Sequence, residues 1–149
     1  MTDYNHEQTL NAALRSLNSG DLETTKSLAR LATEQRPDDA EGWSVFGIAS
    51  NDEEGLKALI RATEMEPNEP RWQLHLGKGL TLRGNHVDAE TAFALAAQQS
   101  KGHPEAMTAW GTSLMELSRF GDAAQVYRQV LQVRPSSELW IKAGDALTG

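Results

Sequence analysis

The sequence predicts an all-α fold of about nine antiparallel helices. Four glycines recur at intervals of 30, 34 and 33 residues, namely Gly47, Gly77, Gly111 and Gly144. Each lies in an apolar helical stretch that also carries a tryptophan. Three prolines close three of these units: Pro37, Pro67 and Pro135. A period near 34 residues indicates a repeat protein.

The segments around these glycines carry a recurring pattern. They are Trp43-Ser-Val-Phe46-Gly47, Trp72-Gln-Leu-His-Leu76-Gly77, Trp110-Gly111 and Trp140-Ile-Lys-Ala143-Gly144. Small or aromatic residues occur at the same distances after Gly77 and after Gly111. They are Ala89, Phe93 and Ala96 in the first case, and Ala123, Tyr127 and Val130 in the second. The pattern resembles the tetratricopeptide repeat (TPR), a 34-residue helix-turn-helix with the motif W-x2-L-G-x2-Y…A-x3-F…P. This resemblance implies a right-handed α-α superhelix, the TPR solenoid.

The glycine of each unit predicts a close helix contact. Glycine in a helix interior costs up to about 1 kcal/mol relative to alanine, so it is expected where another helix passes too close for a side chain. We expect Gly47, Gly77 and Gly111 to contact the second helix of their own hairpins. Small residues downstream of the glycines, Ala89 and Ala123, are expected to face this contact. The aromatic residues Phe93 and Tyr127 are expected to fill the space one turn further on.

Counting from the glycines and prolines predicts a single TPR domain over 1–149. Its parts are repeats 6–39, 40–69 (shortened), 70–103 and 104–136, and a half-repeat or capping helix over 137–149. The predicted helices are 6–18, 22–35, 40–50, 52–66, 70–83, 86–99, 104–118, 121–133 and 137–147.

The first and third repeats depart from the pattern. Repeat one has Ala12-Ala13 in place of the Leu-Gly pair and turns at Gly20-Asp21. Terminal repeats are usually atypical. Repeat three lacks the closing proline, so Gly102 is its expected helix stop.

Repeat two lacks about one helical turn. The distance from Gly47 to Pro67 is 20 residues, against 24 from Gly111 to Pro135. We therefore expect its first helix to be the shortest and to end near Ser50. Asn51 is the expected N-cap of the next helix.

Composition is that of a folded domain, with 23% charged and 39% hydrophobic residues. The absence of cysteine excludes disulfides and thiolate metal sites. The first residues are polar and offer no apolar stretch that resembles a signal peptide. A cytoplasmic protein is the expectation.

Negative charge is concentrated in the first half of the chain. Residues 1–69 contain 6 Lys and Arg against 14 Asp and Glu, a net charge of −8, whereas residues 70–149 contain 8 against 7, a net charge of +1. Nucleic-acid binding needs a basic stripe, and anionic membranes also attract basic segments. We therefore expect no nucleic-acid or membrane partner.

No pattern in the sequence indicates catalysis, a cofactor or a metal. The four histidines stand singly, and His75 is interpreted as a partly exposed or hydrogen-bonded residue. The acidic run 52–54 is interpreted as a solvated helix start. The segment Gly77-Lys78-Gly79 lacks the upstream glycine and the Ser/Thr of a phosphate-binding loop. The chain is therefore not expected to be an enzyme.

The resemblance implies that a peptide binds in a concave groove lined by positions 2, 5, 9 and 12 of the first helices. The candidate groove residues are Ile48, Arg71, Leu74, Lys78, Thr108, Thr112 and Met115. The expected ligand is an extended or helical peptide with an acidic group over Arg71 and Lys78. Alternatively, these two cations are solvated charges that pair with Glu41 or Glu105.

The expected function is a non-catalytic scaffold that binds a protein or peptide. The alternative is a TPR arm of a larger bacterial enzyme such as a sulfotransferase or glycosyltransferase, and self-association is a third role. A carboxylate clamp of the co-chaperone type is not expected, because only Arg71 keeps its chemistry. The corresponding positions hold Leu10, Leu14, Val45, Arg71 and His75.

The last helix repeats the first-helix pattern without a second helix after it. An apolar stripe around Ile141 and Leu147 is therefore expected to face solvent, beside Gly144. One expectation is that the natural protein continues past Gly149, and the other is a homodimer through the C-terminal helix. Burial of Ile141 and Leu147 against 121–133 would instead make this helix a simple cap.

Overall fold

The computed structural model describes residues 5–149, and within this range all regular structure is helical. The first four residues of the predicted domain, 1–4, lie outside the described residues. The helices are α1 (His6–Asn18), α2 (Leu22–Gln35), α3 (Ala40–Ala49), α4 (Glu53–Met65), α5 (Pro70–Leu82), α6 (His86–Gln99), α7 (Pro104–Glu116), α8 (Phe120–Val133) and α9 (Ser137–Thr148). The predicted all-α class is confirmed, and each predicted helix end lies within two residues of the observed one.

Short polar side chains start most of these helices, and glycines end several. Asn5 and Gln8 form a capping box at the start of α1. Asp21 caps α2 by accepting a hydrogen bond from the Thr24 backbone N–H. Gly20 and Gly102 adopt the left-handed conformation, with φ of 81° and 80°. The predicted turn at Gly20 and the predicted stop at Gly102 are both present.

The shortened second repeat has the shortest helix among the described residues. Helix α3 has 10 residues and ends at Ala49, with Ser50 as its C-cap. The predicted N-cap Asn51 is wrong, because α4 begins at Glu53 and Asp52 immediately precedes it. An Asp52 carboxylate oxygen accepts from the Gly55 backbone N–H at 2.8 Å and from the Ser50 hydroxyl at 2.9 Å. These hydrogen bonds, aided by Lys26, lower the pKa of Asp52.

The cap assignment predicts different effects for two adjacent substitutions. Asp52→Ala should lower the thermal unfolding midpoint, because it leaves the first N–H groups of α4 without an acceptor. Asn51→Ala should leave the midpoint close to that of the unsubstituted chain. Differential scanning calorimetry of the two variants checks this order, and equal losses would contradict the cap assignment.

The chain forms two compact units. The N-terminal unit (Met1–Asn68) contains α1 to α4, and the C-terminal unit (Glu69–Gly149) contains α5 to α9. Within each unit, each helix packs mainly against its neighbours in sequence. The boundary falls between the predicted repeats two and three, and the assignment of 1–149 to one domain stays a prediction.

The core of the N-terminal unit is built from all four of its helices. Its buried members are Leu10, Ala13, Ala29, Ala32, Val45, Phe46 and Ala58. His6 Nε2 at the start of α1 lies 2.6 Å from the carboxylate of Asp39, which caps α3. This polar contact ties the first hairpin to the second.

The predicted close contacts at the glycines are present. A Cβ atom on Gly47 would overlap Leu59. A Cβ on Gly77 would lie 2.5 Å from the Phe93 ring, and one on Gly111 would lie 2.5 Å from the Tyr127 ring. Aromatic rings therefore lie directly over Gly77 and Gly111, and Leu59 lies over Gly47. Ala89 and Ala123 are fully buried, and their expected place opposite the glycines stays a prediction.

Helix α9 packs on α8 through one face only. Leu139, Ala143 and Ala146 are buried, whereas Ile141 and Leu147 are exposed. The expected apolar stripe is present, and the alternative in which Ile141 and Leu147 are buried is wrong. A Cβ atom on Gly144 would have no neighbour within 4 Å.

Candidate functional site

The candidate site is a pocket of about 650 Å³ within the C-terminal unit. It lies between α5, α7 and α9, over residues of α6 and α8. Its lining residues are Lys78, Thr81, Leu82, Phe93, Pro104, Glu105, Thr108, Ala109, Thr112, Val130, Arg134, Ser136, Glu138, Leu139 and Lys142. This volume is within the usual range for ligand pockets.

The floor of the pocket is apolar. Phe93, Val130 and Leu139 are almost entirely buried, yet their side chains form part of the lining. Leu82 at the end of α5 is exposed and extends the apolar lining toward solvent. Because apolar surface that leaves water on binding contributes favourably to affinity, this floor can hold an apolar side chain of a ligand.

Three cations line the pocket, and two of them are paired. Lys78 lies 3.4 Å from Glu105, and Lys142 lies 3.3 Å from Glu138 on the same helix. Arg134 forms no ion pair within the part of the chain that the structure describes. Among these three cations, the Arg134 guanidinium is therefore the one that is free to bind an acidic group of a ligand.

The position of Arg134 follows from its place before Pro135. A residue that precedes proline is disfavoured in the helical conformation. Arg134 has φ −137° and ψ 90°, an extended backbone, and it ends α8 as its C-cap. Arg134, on the α8–α9 connection, is thus part of the pocket lining.

Hydroxyl groups form a second polar element of the pocket. Thr112 donates to the Thr108 backbone oxygen at 3.0 Å and lies 3.1 Å from the Tyr127 hydroxyl. Burial raises the pKa of Tyr127, and the hydrogen bond to Thr112 opposes that shift. The phenol that covers Gly111 is therefore in contact with a pocket residue.

Three of the predicted groove residues line this pocket: Lys78, Thr108 and Thr112. Leu74 is buried, and Met115 is half-buried. Ile48 is half-buried and belongs to the N-terminal unit. The predicted groove as a whole therefore stays a prediction.

Arg71 is engaged locally. Its Nε lies 3.1 Å from Glu69, and its guanidinium stacks 4.7 Å from the centre of the Trp72 ring. The alternative, in which the two cations pair with Glu41 or Glu105, is confirmed for Lys78, which pairs with Glu105, whereas Arg71 pairs with Glu69 instead. Both pairs are largely exposed and contribute little to stability.

Sequence reasoning missed Arg134, Lys142, Leu82 and Leu139. The Arg134-Pro135 dipeptide was the available signal for Arg134, since the residue before proline leaves the helix. On α9, Glu138 and Lys142 line the pocket, whereas Ile141 is exposed outside it. No sequence signal fixed the rotation of α9 about its axis.

His75 is a half-buried histidine on α5. Burial, with the nearby charges of Lys78 and Arg71, lowers its pKa to about 4, and Glu105 opposes the shift. Its ring lies 5.8 Å from that of Trp72. His75 is therefore neutral at neutral pH.

Metal-binding clusters are absent from residues 5–149: no three His, Cys, Asp or Glu residues come together in a suitable arrangement. In the same range, no helix combines the length and the apolar character needed to cross a membrane.

Comparison with known proteins identifies the repeats. Residues 51–104 and 108–148 match the family model described as tetratricopeptide repeat. Over 80 residues, or 51% of this chain, the sequence is 34% identical to the PEX5-related protein of Homo sapiens. The chain spans only 13% of the length of that relative.

Solved structures show the same fold. A thermophilic TPR protein of Thermus thermophilus superposes with a TM-score of 0.80 at 20% identity, covering 97% of this chain and 82% of that one. The pilF protein of Pseudomonas aeruginosa gives a TM-score of 0.83 at 16% identity, covering 96% and 68%. At these identities the likeness shows the fold alone.

Proposed function

Because the chain belongs to the tetratricopeptide repeat family, we propose that it is a non-catalytic protein-interaction scaffold that binds a peptide in the pocket of its C-terminal unit. The observation that carries the proposal is an apolar pocket of about 650 Å³ with an unpaired arginine at its edge. The sequence similarity to the human PEX5-related protein is consistent with a protein partner.

The pocket chemistry defines the expected peptide. An apolar side chain would lie on the floor formed by Phe93, Val130 and Leu139. An acidic group of the same peptide would pair with Arg134, since Lys78 and Lys142 already face Glu105 and Glu138. Exposed ion pairs contribute at most about 1 kcal/mol. The apolar contact therefore supplies most of the affinity, and Arg134 supplies selectivity.

The remaining proposals concern the setting of the protein. We propose a cytoplasmic scaffold without a nucleic-acid or membrane partner, because no basic surface stripe is evident in the sequence. A second copy of the chain is a further proposed partner, through the C-terminal helix. The alternative role as an arm of a larger bacterial enzyme has less support, since it rests on family analogy alone.

The peptide proposal is tested by selection from a displayed library of random peptides, followed by titration calorimetry. Selected peptides should combine an apolar residue with an acidic one. Ala109→Glu places a charge in the pocket lining and should weaken their binding by more than about tenfold, because a charge buried against apolar groups is costly. Arg134→Glu should weaken it by up to about tenfold.

Two further variants complete the test. Arg128→Glu makes the same charge change on α8 outside the pocket lining and should leave binding unchanged. Arg71→Glu reports on the groove predicted from sequence, and here too we expect little change. Peptides that bind Ala109→Glu and Arg134→Glu as tightly as the unsubstituted chain would show that the pocket is not the binding site.

A further inference from the structure

The hydroxyl group of Tyr127 is not required for the packing of its ring. The Phe93 ring covers Gly77 as the Tyr127 ring covers Gly111, and a Cβ atom on either glycine would lie 2.5 Å from the ring. Phe93 and Tyr127 are both buried, with 5% and 1% of their surface exposed. A phenyl ring is therefore enough for the contact between the two helices of a hairpin. The phenol oxygen of Tyr127 is an additional polar group in the C-terminal unit.

The partner of this phenol is Thr112, at the position that Lys78 occupies 34 residues earlier. A hydroxyl group has one proton to donate and two lone pairs that accept. Thr112 donates its proton to the Thr108 backbone oxygen at 3.0 Å. In the 3.1 Å contact between the two hydroxyls, Tyr127 is therefore the donor. One lone pair of the Thr112 oxygen accepts from Tyr127, and the second lone pair is left over.

The second lone pair of Thr112 is available to a ligand. Thr112 is exposed and forms part of the pocket lining, whereas Tyr127 is buried. Burial raises the pKa of Tyr127, and the hydrogen bond to Thr112 and the positive charge of Lys142 lower it. Because Lys142 lines the pocket from α9, the two hydroxyls lie near a cation of the pocket. The Thr112 oxygen thus meets a ligand as a hydrogen-bond acceptor whose own proton is already used.

We infer that Thr112 accepts a hydrogen bond from a backbone N–H group of the bound peptide, and that Tyr127 is the positioning residue that orients Thr112. This inference rests on the proposed function, because it concerns a ligand of the same pocket. It also selects between the two expected forms of the ligand. In a helical peptide the N–H groups beyond the first turn are bonded internally, whereas an extended peptide keeps its N–H groups free to donate. The pocket therefore binds an extended peptide.

The charges of the pocket favour a neutral donor at Thr112. Lys142 lies near the two hydroxyls, and Arg134 is the cation of the lining that forms no ion pair within the described residues. A cationic donor, from a lysine or arginine of the ligand, would be repelled by these like charges. A backbone N–H group carries no net charge, and each residue except proline supplies one. Thr112 therefore recognises the main chain of the peptide, while Arg134 recognises its acidic group.

Amide-to-ester substitution in a selected peptide tests the inference. Each ester replaces one backbone N–H group by an oxygen atom, and the series is titrated by calorimetry against the 149-residue chain. At one position, the ester should weaken binding by about two- to tenfold, the usual effect of one hydrogen bond. Against Thr112→Val, which removes the acceptor, that ester should bind as tightly as the amide. Against Thr112→Ser, which restores the hydroxyl, the loss should return.

Tyr127→Phe tests the positioning role. The variant keeps a ring over Gly111, as Phe93 does over Gly77, so circular dichroism should show unchanged helix content. The Thr112 hydroxyl then lacks the donor that orients it, and the ester should weaken binding less than it does with the unsubstituted chain. Thr81→Val removes the hydroxyl of another threonine in the lining and should leave the ester loss unchanged.

Three results would overturn the inference. The first is an ester series in which no loss disappears with Thr112→Val. The second, which removes the positioning role, is an ester loss as large with Tyr127→Phe as with the unsubstituted chain. The third is binding that depends on a side-chain amide of the peptide and on none of its backbone N–H groups. If Ala109→Glu still weakens binding in these cases, the proposed function stands, whereas binding that ignores Ala109→Glu overturns both.

Discussion

Gly111→Leu is expected to lower the free energy of unfolding by at least about 1 to 3 kcal/mol, the usual cost of overpacking a core. Even a Cβ atom at this position would lie 2.5 Å from the Tyr127 ring. The ring is 1% exposed and its hydroxyl is within hydrogen-bond distance of Thr112, so it has little freedom to move away. Urea denaturation followed by circular dichroism measures the loss.

Gly144→Leu is the matched control, since it makes the same change at the corresponding position of α9. A Cβ atom there would meet nothing within 4 Å. Replacing glycine by a good helix former should therefore raise the free energy of unfolding, by up to about 1 kcal/mol. Equal effects of the two substitutions would show that the hairpin contact does not determine the requirement for glycine.

Acidification is expected to destabilise the protein through His75. The pKa of His75 is lowered to about 4 in the folded chain, mainly by burial, whereas an unfolded histidine titrates near 6.5. Between pH 4 and 6.5, His75 is mostly protonated in the unfolded chain and mostly neutral in the folded chain. The stabilising effect is thus present above about pH 6.5 and is lost as the pH falls toward 4.

The slope from His75 approaches about 1.4 kcal/mol per pH unit, with a total of roughly 3 kcal/mol at most. Lys78 and Arg71 favour the neutral imidazole, and Glu105 opposes them. His75→Gln should flatten the pH dependence of the unfolding free energy between pH 6.5 and 4. His86→Gln, in the same unit, is the control. If both variants kept the slope of the unsubstituted chain, the burial of His75 would not be its cause.

The helices and hairpins were predictable because their signals are local. Proline ends a helix where it stands, and glycine marks a close contact between the two helices of a hairpin. The spacing of these residues therefore located the helices to within two residues. Asn51 and Asp52 are both residue types that cap helices well. Helix α4 begins at Glu53 and not at 52 as predicted, so Asp52 is the N-cap instead of Asn51. Local preference alone does not resolve such a choice.

The candidate site was less predictable because it depends on side-chain neighbours. Arg71 and Lys78 occupy first-helix positions suited to a groove, yet Arg71 stacks on Trp72 beside it in sequence. Arg134 lies in the connection between α8 and α9, whereas the repeat pattern predicts ligand contacts only on the first helix of each hairpin. The rotation of α9, set by its packing on α8, then decided that Lys142 rather than Ile141 faces the pocket.

The packing of each helix mainly against its sequence neighbours has a consequence for folding kinetics. Within the C-terminal unit, α5 to α9 contact one another in chain order, so few contacts require a long loop to close. Chains with such short-range contacts fold quickly. Folding can begin at any hairpin and extend by addition of the next helix, as in other linear repeats. Amide hydrogen exchange should therefore show protection that is highest at the central helices α6 to α8 and lowest at α9, which has a packed neighbour on one side only.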